Sequence, residues 1–241
     1  MDALIYTAMS AADRALHAQQ VHANNLANVE TAGFRADMEQ AQAQQVAGYG
    51  YDSRHLALLQ ANTVNTASGT LVQTGRDLDV AVSGQGYFAV AYGGGEAYTR
   101  AGTFAVDGDG ALTLNGRAVM GDGGPIVLPP YQSVSFGQDG MISIVPAAGG
   151  EPQTVDRLKL VNPPAASMQK NEAGLLVSRS GQRLDADDSV QVKGGYLERS
   201  NVSAVEEMLQ TMSLNRDFEM QMRLFKAADG MADSGNRLIR S

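Results

Sequence analysis

Glycine and proline punctuate this chain unevenly, and that distribution limits what it can fold into. Residues 1–35 and 198–241 together hold three of the 27 Gly and none of the seven Pro. The other 24 Gly and every Pro lie between them. Proline breaks helices and glycine weakens them, so two long helices are permitted only at the ends. Charge divides the same way. The first stretch has two basic and three acidic residues, the last six and seven, and the middle ten and sixteen. Two near-neutral ends therefore flank an acidic, glycine-rich centre, which reads as helix, β-domain, helix.

Residues 3–28 read as one helix. Ile5, Ala8, Met9, Ala12, Ala15, Leu16, Ala23 and Leu26 form a stripe of a seven-residue repeat, interrupted by Gln19 and His22. Its many alanines suit close helix approach. The helix runs into three Asn within five positions, Asn24, Asn25 and Asn28, then a turn at Thr31-Ala32-Gly33. Asn competes for backbone groups, so this cluster suggests caps or amide contacts to a neighbour. Near the other end, Ser203 with Glu206 fits a capping box. Met208, Met212, Phe218, Met222, Phe225 and Ala232 follow at helical spacing. Methionine adapts to uneven surfaces, and this stripe reads as packing rather than a cofactor site.

Between the ends, residues 36–77 are polar and Gln-rich. Asp37 to Gln45 reads as a weak helix or an extended arm, followed by Gly48-Tyr49-Gly50-Tyr51 and a Thr/Asn/Ser-rich run. This region is expected to be a connector. From Leu78 the period becomes two. Short apolar runs recur at Phe104–Val106, Leu112–Leu114, Ile126–Leu128, Val134–Phe136 and Met141–Val145. Turns such as Asp107-Gly108, Asn115-Gly116 and Asp139-Gly140 separate them, which predicts an antiparallel β-domain over 78–180. A return connector is expected over 181–197. The fold class is thus α+β: terminal helices pairing as a coiled-coil-like stem around a central antiparallel all-β domain.

Several chemistries are argued against. The net charge of −8 does not suit nucleic acid. No apolar run reaches the roughly 18–20 residues of a membrane span. The acidic start, Met1-Asp2, lacks the basic region of a cleavable secretory signal. With no Cys there is no thiol chemistry. Gly84-Gln85-Gly86-Tyr87-Phe88-Ala89 has dinucleotide-like spacing but strand-like residues after it, where a pyrophosphate needs a helix. Asp107-Gly108-Asp109-Gly110 departs from the ligand order of a calcium loop. Ser167-Met168-Gln169-Lys170 lacks the partner motifs of a penicillin-binding site. His17, His22 and His55 have no metal spacing. No catalytic, cofactor or metal residue is expected, and the chain reads as a non-enzyme.

Three motifs carry a family resemblance that spans nearly the whole chain. Ala23-Asn24-Asn25-Leu26-Ala27-Asn28-Val29 with Thr31-Ala32-Gly33-Phe34-Arg35 is similar to the N-terminal signature of bacterial flagellar rod and hook proteins. Leu78 to Phe88 with Tyr98-Thr99-Arg100-Ala101-Gly102-Thr103-Phe104 resembles their middle. Leu197-Glu198-Arg199-Ser200-Asn201-Val202 with Glu207-Met208 resembles their C-terminal segment. The opening residues look most like the proximal-rod members, with distal rod and hook subunits as close alternatives.

The resemblance implies a structural subunit of the basal-body rod, exported uncleaved through the flagellar type III apparatus into the periplasm. Copies of the chain and other rod proteins would be its partners. Residues 1–35 and 198–241 would form the axial core. The assembly interface is expected at Ile5, Met9, Leu16, Asn24, Asn25, Leu26, Asn28, Met208, Met212, Phe218, Met222 and Phe225, with the asparagines setting register between neighbours. A soluble binding module with its terminal helices paired inside one molecule is the alternative from a different class.

Overall fold

The computed structural model describes residues 2–45 and 55–240, with side chains described for 6–39 and 63–238. Two compact units result. The helical unit comprises Met1–Ala27, Asp37–Thr63 and Ser203–Ser241; the β unit comprises Asn28–Ala36 and Val64–Val202.

In the helical unit, α1 (Asp2–Ala27) packs against α2 (Ala204–Arg240). Gln19 meets Asn215 and His22 meets Glu207, while Ala12 lies near Met222. Partners on α2 descend as α1 ascends, so the helices run antiparallel. The seam on α1 is made of small side chains: Ala8, Ala15 and Ala18 are buried. On α2 the covered or half-covered positions are Ala204, Glu207, Thr211, Leu214, Phe218, Gln221, Ala228, Ala232 and Gly235. That is a three–four alternation, the mark of a close antiparallel pair. α2 starts where the capping residue was expected, since the Glu207 N–H donates to the Ser203 carbonyl at 3.0 Å.

Asp37–Gln45 is a strand paired with His55–Val64, and not a helix. Asp37–Gln45 is Gln-rich and shows no strong apolar period; its pairing uses backbone groups, which side-chain patterns do not report. The expected Gly48-Tyr49-Gly50-Tyr51 lies outside the described residues.

The β unit is antiparallel throughout its named pairs. A five-stranded sheet runs in the order Leu160–Val161, Tyr87–Tyr92, Gly95–Thr99, Leu176–Ser178, Met168–Lys170. A three-stranded sheet joins Tyr131–Phe136, Met141–Pro146 and Gln153–Arg157. Another three-stranded sheet joins Ala105–Val106, Leu112–Leu114 and Arg117–Ala118. Its hairpin turns on Asn115-Gly116, both at positive φ (50° and 76°), as a tight two-residue hairpin requires. The core gathers the inward side of these short strands: Val80, Phe88, Phe104, Leu112, Ile126, Ile142 and Leu158 are all sealed from solvent. Phe88 and Phe104 meet edge to face with ring centroids 5.3 Å apart.

Two stretches depart from the sequence reading. Ile126–Leu128 forms no strand of its own; it crosses the core on single bonds to Val119, Leu112 and Gly110. Residues 181–197, expected as a connector, carry Gln191–Gly194, paired with Val80–Ser83, and begin Tyr196–Glu198, paired with Leu71–Gln73. Val192 is the one apolar residue in Gln191–Gly194, so that strand shows no alternation in sequence.

Candidate functional site: a polar register in the helix pair and a buried ion cluster in the β unit

The two residues that interrupt the apolar stripe of α1 face polar partners on α2. Gln19 Nε2 donates to Asn215 Oδ1 at 3.2 Å. His22 Nδ1 lies against Glu207 Oε2. Glu207 Oε1 accepts from Asn25 Nδ2 at 3.1 Å. The same amide of Asn25 spans the backbone of Asp37: Nδ2 donates to the Asp37 carbonyl at 3.0 Å, and Oδ1 accepts the Asp37 N–H at 2.8 Å. Both donors and the acceptor of a 1% exposed amide are thus used. Sliding one helix past the other by a seven-residue repeat would keep small side chains such as Ala8 and Ala15 on the seam but break these bonds. The polar set, more than the seam, fixes register. Glu207 also stands in the first turn of α2, where the exposed N–H groups of the helix end favour a negative charge.

The residues expected at an assembly interface differ in burial. Asn25 is buried and bonded inside its own unit. Leu26 and Phe218 are half-buried. Met9, Leu16, Met208, Met212, Met222 and Phe225 are between 40% and 63% exposed. They stand beside the seam, so these large apolar side chains stay uncovered while the buried alanines of α1 meet a mixed face of α2 that includes Leu214 and Phe218. Met9, Met222 and Phe225, with Ala8, Ala12 and Gln221, line an almost wholly apolar cleft of about 240 Å³. Asn24 is exposed. Asn28, in the β unit, accepts a bond from the Thr31 hydroxyl at 3.1 Å. The side chain of Ile5 lies outside the described residues.

The second site was not foreseen as a site, although its residues sit in all three recognised motifs. In the β unit Glu198 is fully buried and accepts from Arg35 Nη2 at 2.8 Å and from Arg100 Nη1 at 3.0 Å. It also accepts the Gly69 N–H at 2.7 Å, and its own carbonyl takes the Gly33 N–H at 2.7 Å. Gly33 adopts φ +67°, and a Cβ there would stand 2.1 Å from the Ala101 nitrogen. Only glycine fits that crossing. Lys170 closes the cluster, with Nζ 3.8 Å from the Phe34 ring centre and donating to the Arg35 carbonyl at 3.0 Å. Asn201 ties two other segments to its own: Oδ1 accepts the Ala36 N–H, and Nδ2 donates to the carbonyls of Asn65 and Ala67. Burial lowers the pKa of Arg100 from its usual value; the Glu198 charge opposes that shift and the Arg35 charge adds to it.

Neither site assembles reacting groups. Among the described residues no cluster of three or more His, Cys, Asp or Glu could hold a metal ion. No helix among them is long and apolar enough to cross a membrane. What the geometry supplies is a pinned helix pair with an uncovered apolar flank, and a β unit whose first and last segments are tied together. These are the attributes of a building block.

The comparisons with known proteins agree. The family described as flagella basal body rod protein matches residues 5–35. The flagellar hook protein FlgE/F/G D1 domain matches 81–144, and the flagellar basal body rod FlgEFG protein C-terminal family matches 193–238. The chain belongs to the flagellar basal-body rod protein family, whose members are structural subunits and not enzymes. Within that family it aligns end to end with FlgF proteins. It is 38% identical to the flagellar basal-body rod protein FlgF of Salmonella typhimurium and 37% identical to that of Escherichia coli, each over 99% of both chains. It is also 31% identical to the flagellar basal-body rod protein FlgG of Bacillus subtilis, over 86% of this chain and 87% of that one.

Proposed function

We propose that this chain is a subunit of the proximal rod. Copies of itself and other rod proteins join it through the uncovered flank of the helix pair, and the assembled rod carries motor torque. The observation that carries this reading is the division of labour on the helices. Buried alanines make the α1 side of the intrachain seam, and Met9, Leu16, Met208, Met212, Met222 and Phe225 are left open to solvent. These side chains are 40% to 63% exposed, so covering each is worth about half of the roughly 1.5–3 kcal/mol of full burial, and the six together help offset the several kcal/mol that association costs. A contact that repeats without closing on itself builds a helical assembly. The apolar cleft at Met9, Met222 and Phe225 is a seat for a large side chain of the adjoining subunit. The full-length likeness to FlgF proteins supports the proximal position, a periplasmic location and delivery by the flagellar type III export apparatus without cleavage.

The test is Met212→Asp. Met212 is 54% exposed and off the seam, so the helix pair should melt as in wild type. The variant should accumulate among exported proteins and be missing from purified basal bodies. Wild-type incorporation would overturn the assignment of this flank. Phe218→Asp should also block incorporation, but Phe218 is half-buried within the seam, so Met212 separates assembly from folding more cleanly.

A further inference from the structure

The buried ion cluster of the β unit is unbalanced. Two guanidinium groups, Arg35 and Arg100, share the single carboxylate of Glu198, leaving one positive charge in excess. Three of their nitrogens, Arg35 Nε, Arg35 Nη1 and Arg100 Nε, are buried without a partner. A buried charge is costly unless paired, and unmet donors add to that cost.

Beside the cluster opens a cavity of about 320 Å³, walled chiefly by Thr66, Gln85, Tyr87, Arg100, Asn162 and Pro164. Arg100 is the only charged residue in that wall. Its Nη2 donates to the Gly84 carbonyl at 2.6 Å, which sets its edge at the Gly84-Gln85-Gly86 loop, and its guanidinium lies 5.2 Å from the Tyr87 ring centre. Each Nη carries two N–H groups, so one bond to Glu198 and one to Gly84 leave donors over. Thr66, Gln85 and Asn162 bring a hydroxyl and two amides to the same space. Asn162 also bonds Asp187, a half-buried carboxylate that stands outside the wall and uses one of the amide's bonds. The volume is well above the roughly 30 Å³ share of one water, and holds a carboxylate with some hydration.

We infer that this cavity is an anion site that takes a carboxylate, held by Arg100 with help from Gln85 and Asn162, and that the bound carboxylate balances the excess charge. A free carboxylic acid anion and an acidic side chain of a second copy of this chain share that chemistry.

The experiment is a titration of the full chain with sodium acetate, against sodium chloride at equal ionic strength, followed by amide NMR. Acetate should produce a saturable shift confined to Gln85, Gly86, Asn162 and the Arg100 side chain, with a midpoint on the order of millimolar. Sodium chloride should not. Ala165→Phe, which fills the cavity from an exposed wall position, should abolish the shift while leaving thermal unfolding unchanged. Gln85→Leu should weaken binding several-fold. If the same signals move with protein concentration and acetate reverses the movement, the natural source is a second copy; if only acetate moves them, it is a free anion. A non-saturable response, or one that survives in Ala165→Phe, would overturn the site.

Discussion

Asn25 bonds Asp37 as one strand bonds another, taking its N–H at 2.8 Å and giving an N–H to its carbonyl at 3.0 Å. The side-chain amide stands in for a backbone peptide at the start of that strand. This places Asn25 inside the subunit, at the start of the strand Asp37–Gln45, with Glu207 on its other donor.

Asn25→Leu should therefore weaken the helical unit. It orphans the Asp37 N–H and carbonyl, and removes a donor from Glu207, at roughly 1–3 kcal/mol for each group left buried and unmet. Circular dichroism at 222 nm should show the helices melting earlier, while hydrogen exchange in the β unit stays as in wild type. Unchanged helical melting would return Asn25 to a role outside the subunit.

Glu198→Leu should be among the most damaging single changes in the β unit. It leaves two buried guanidinium groups without a counter-charge, and removing one member of a buried pair costs about 3–5 kcal/mol. The urea midpoint should fall with the slope unchanged. A triple change, with Arg35→Met and Arg100→Met added, should recover much of the loss, since a fully apolar replacement avoids the stranded charges. Failure to recover would mean that the side-chain bonds to Gly69 and Gly84 carry more of the stability than the charges do.

Gly33→Ala and Gly93→Ala should differ sharply. Both glycines have positive φ, +67° and +56°. Around Gly93 there is open space, so alanine there bears only the backbone penalty of about 1–2 kcal/mol. At Gly33 the new methyl would overlap the Arg100–Ala101 peptide, and the turn must move. Thermal denaturation of the two variants side by side should show the larger drop for Gly33→Ala. Equal drops would mean that the segment 28–36 yields at little cost.

Tyr98 predicts an alkaline weakness of the β unit. Burial is the main cause raising its phenol pKa above 10.0, opposed by the Leu184 N–H and reinforced by Glu96. Below pH about 10 both folded and unfolded states keep the proton, so the contribution is fully present. Above that, the unfolded chain ionises first, and stability falls as pH rises towards the folded-state pKa. The urea midpoint of wild type should fall more steeply above pH 10 than that of Tyr98→Phe. Parallel slopes would remove Tyr98 as the cause.

The ends were legible because proline-free length and a seven-residue stripe are local signals. The phase of the α2 seam was not. Met208, Met212 and Met222 are the largest apolar residues in their turns and suggest the covered face, yet Thr211, Leu214, Phe218 and Gln221 stand on it. Polar Thr211 and Gln221 share the covered face while the exposed methionines stand beside it, so the apolar stripe is displaced from the seam. The polar interruptions Gln19 and His22 were visible, but their partners lie 196 and 185 residues away. The Arg35–Glu198 pair spans 163 residues, and nothing near either residue announces the other. Local periodicity found the hairpins around Asn115-Gly116 and missed Gln191–Gly194, where a single valine is buried.

The arrangement around Glu198 also dictates an order of events. During synthesis, Arg35, Gly69 and Arg100 exist long before Glu198 does. Leu71–Gln73 and Val80–Ser83 likewise wait for Tyr196–Glu198 and Gln191–Gly194. Pairings so distant along the chain form slowly, because a long loop must close before any of them is rewarded. The early four-fifths of the molecule is thus held short of its final form, with two uncompensated cations at the unfinished place. Arrival of the final strands supplies the missing charge and the missing partners together. The last part of the β unit to be made is the part that completes it, which keeps a partly made chain pliable until the moment it can close.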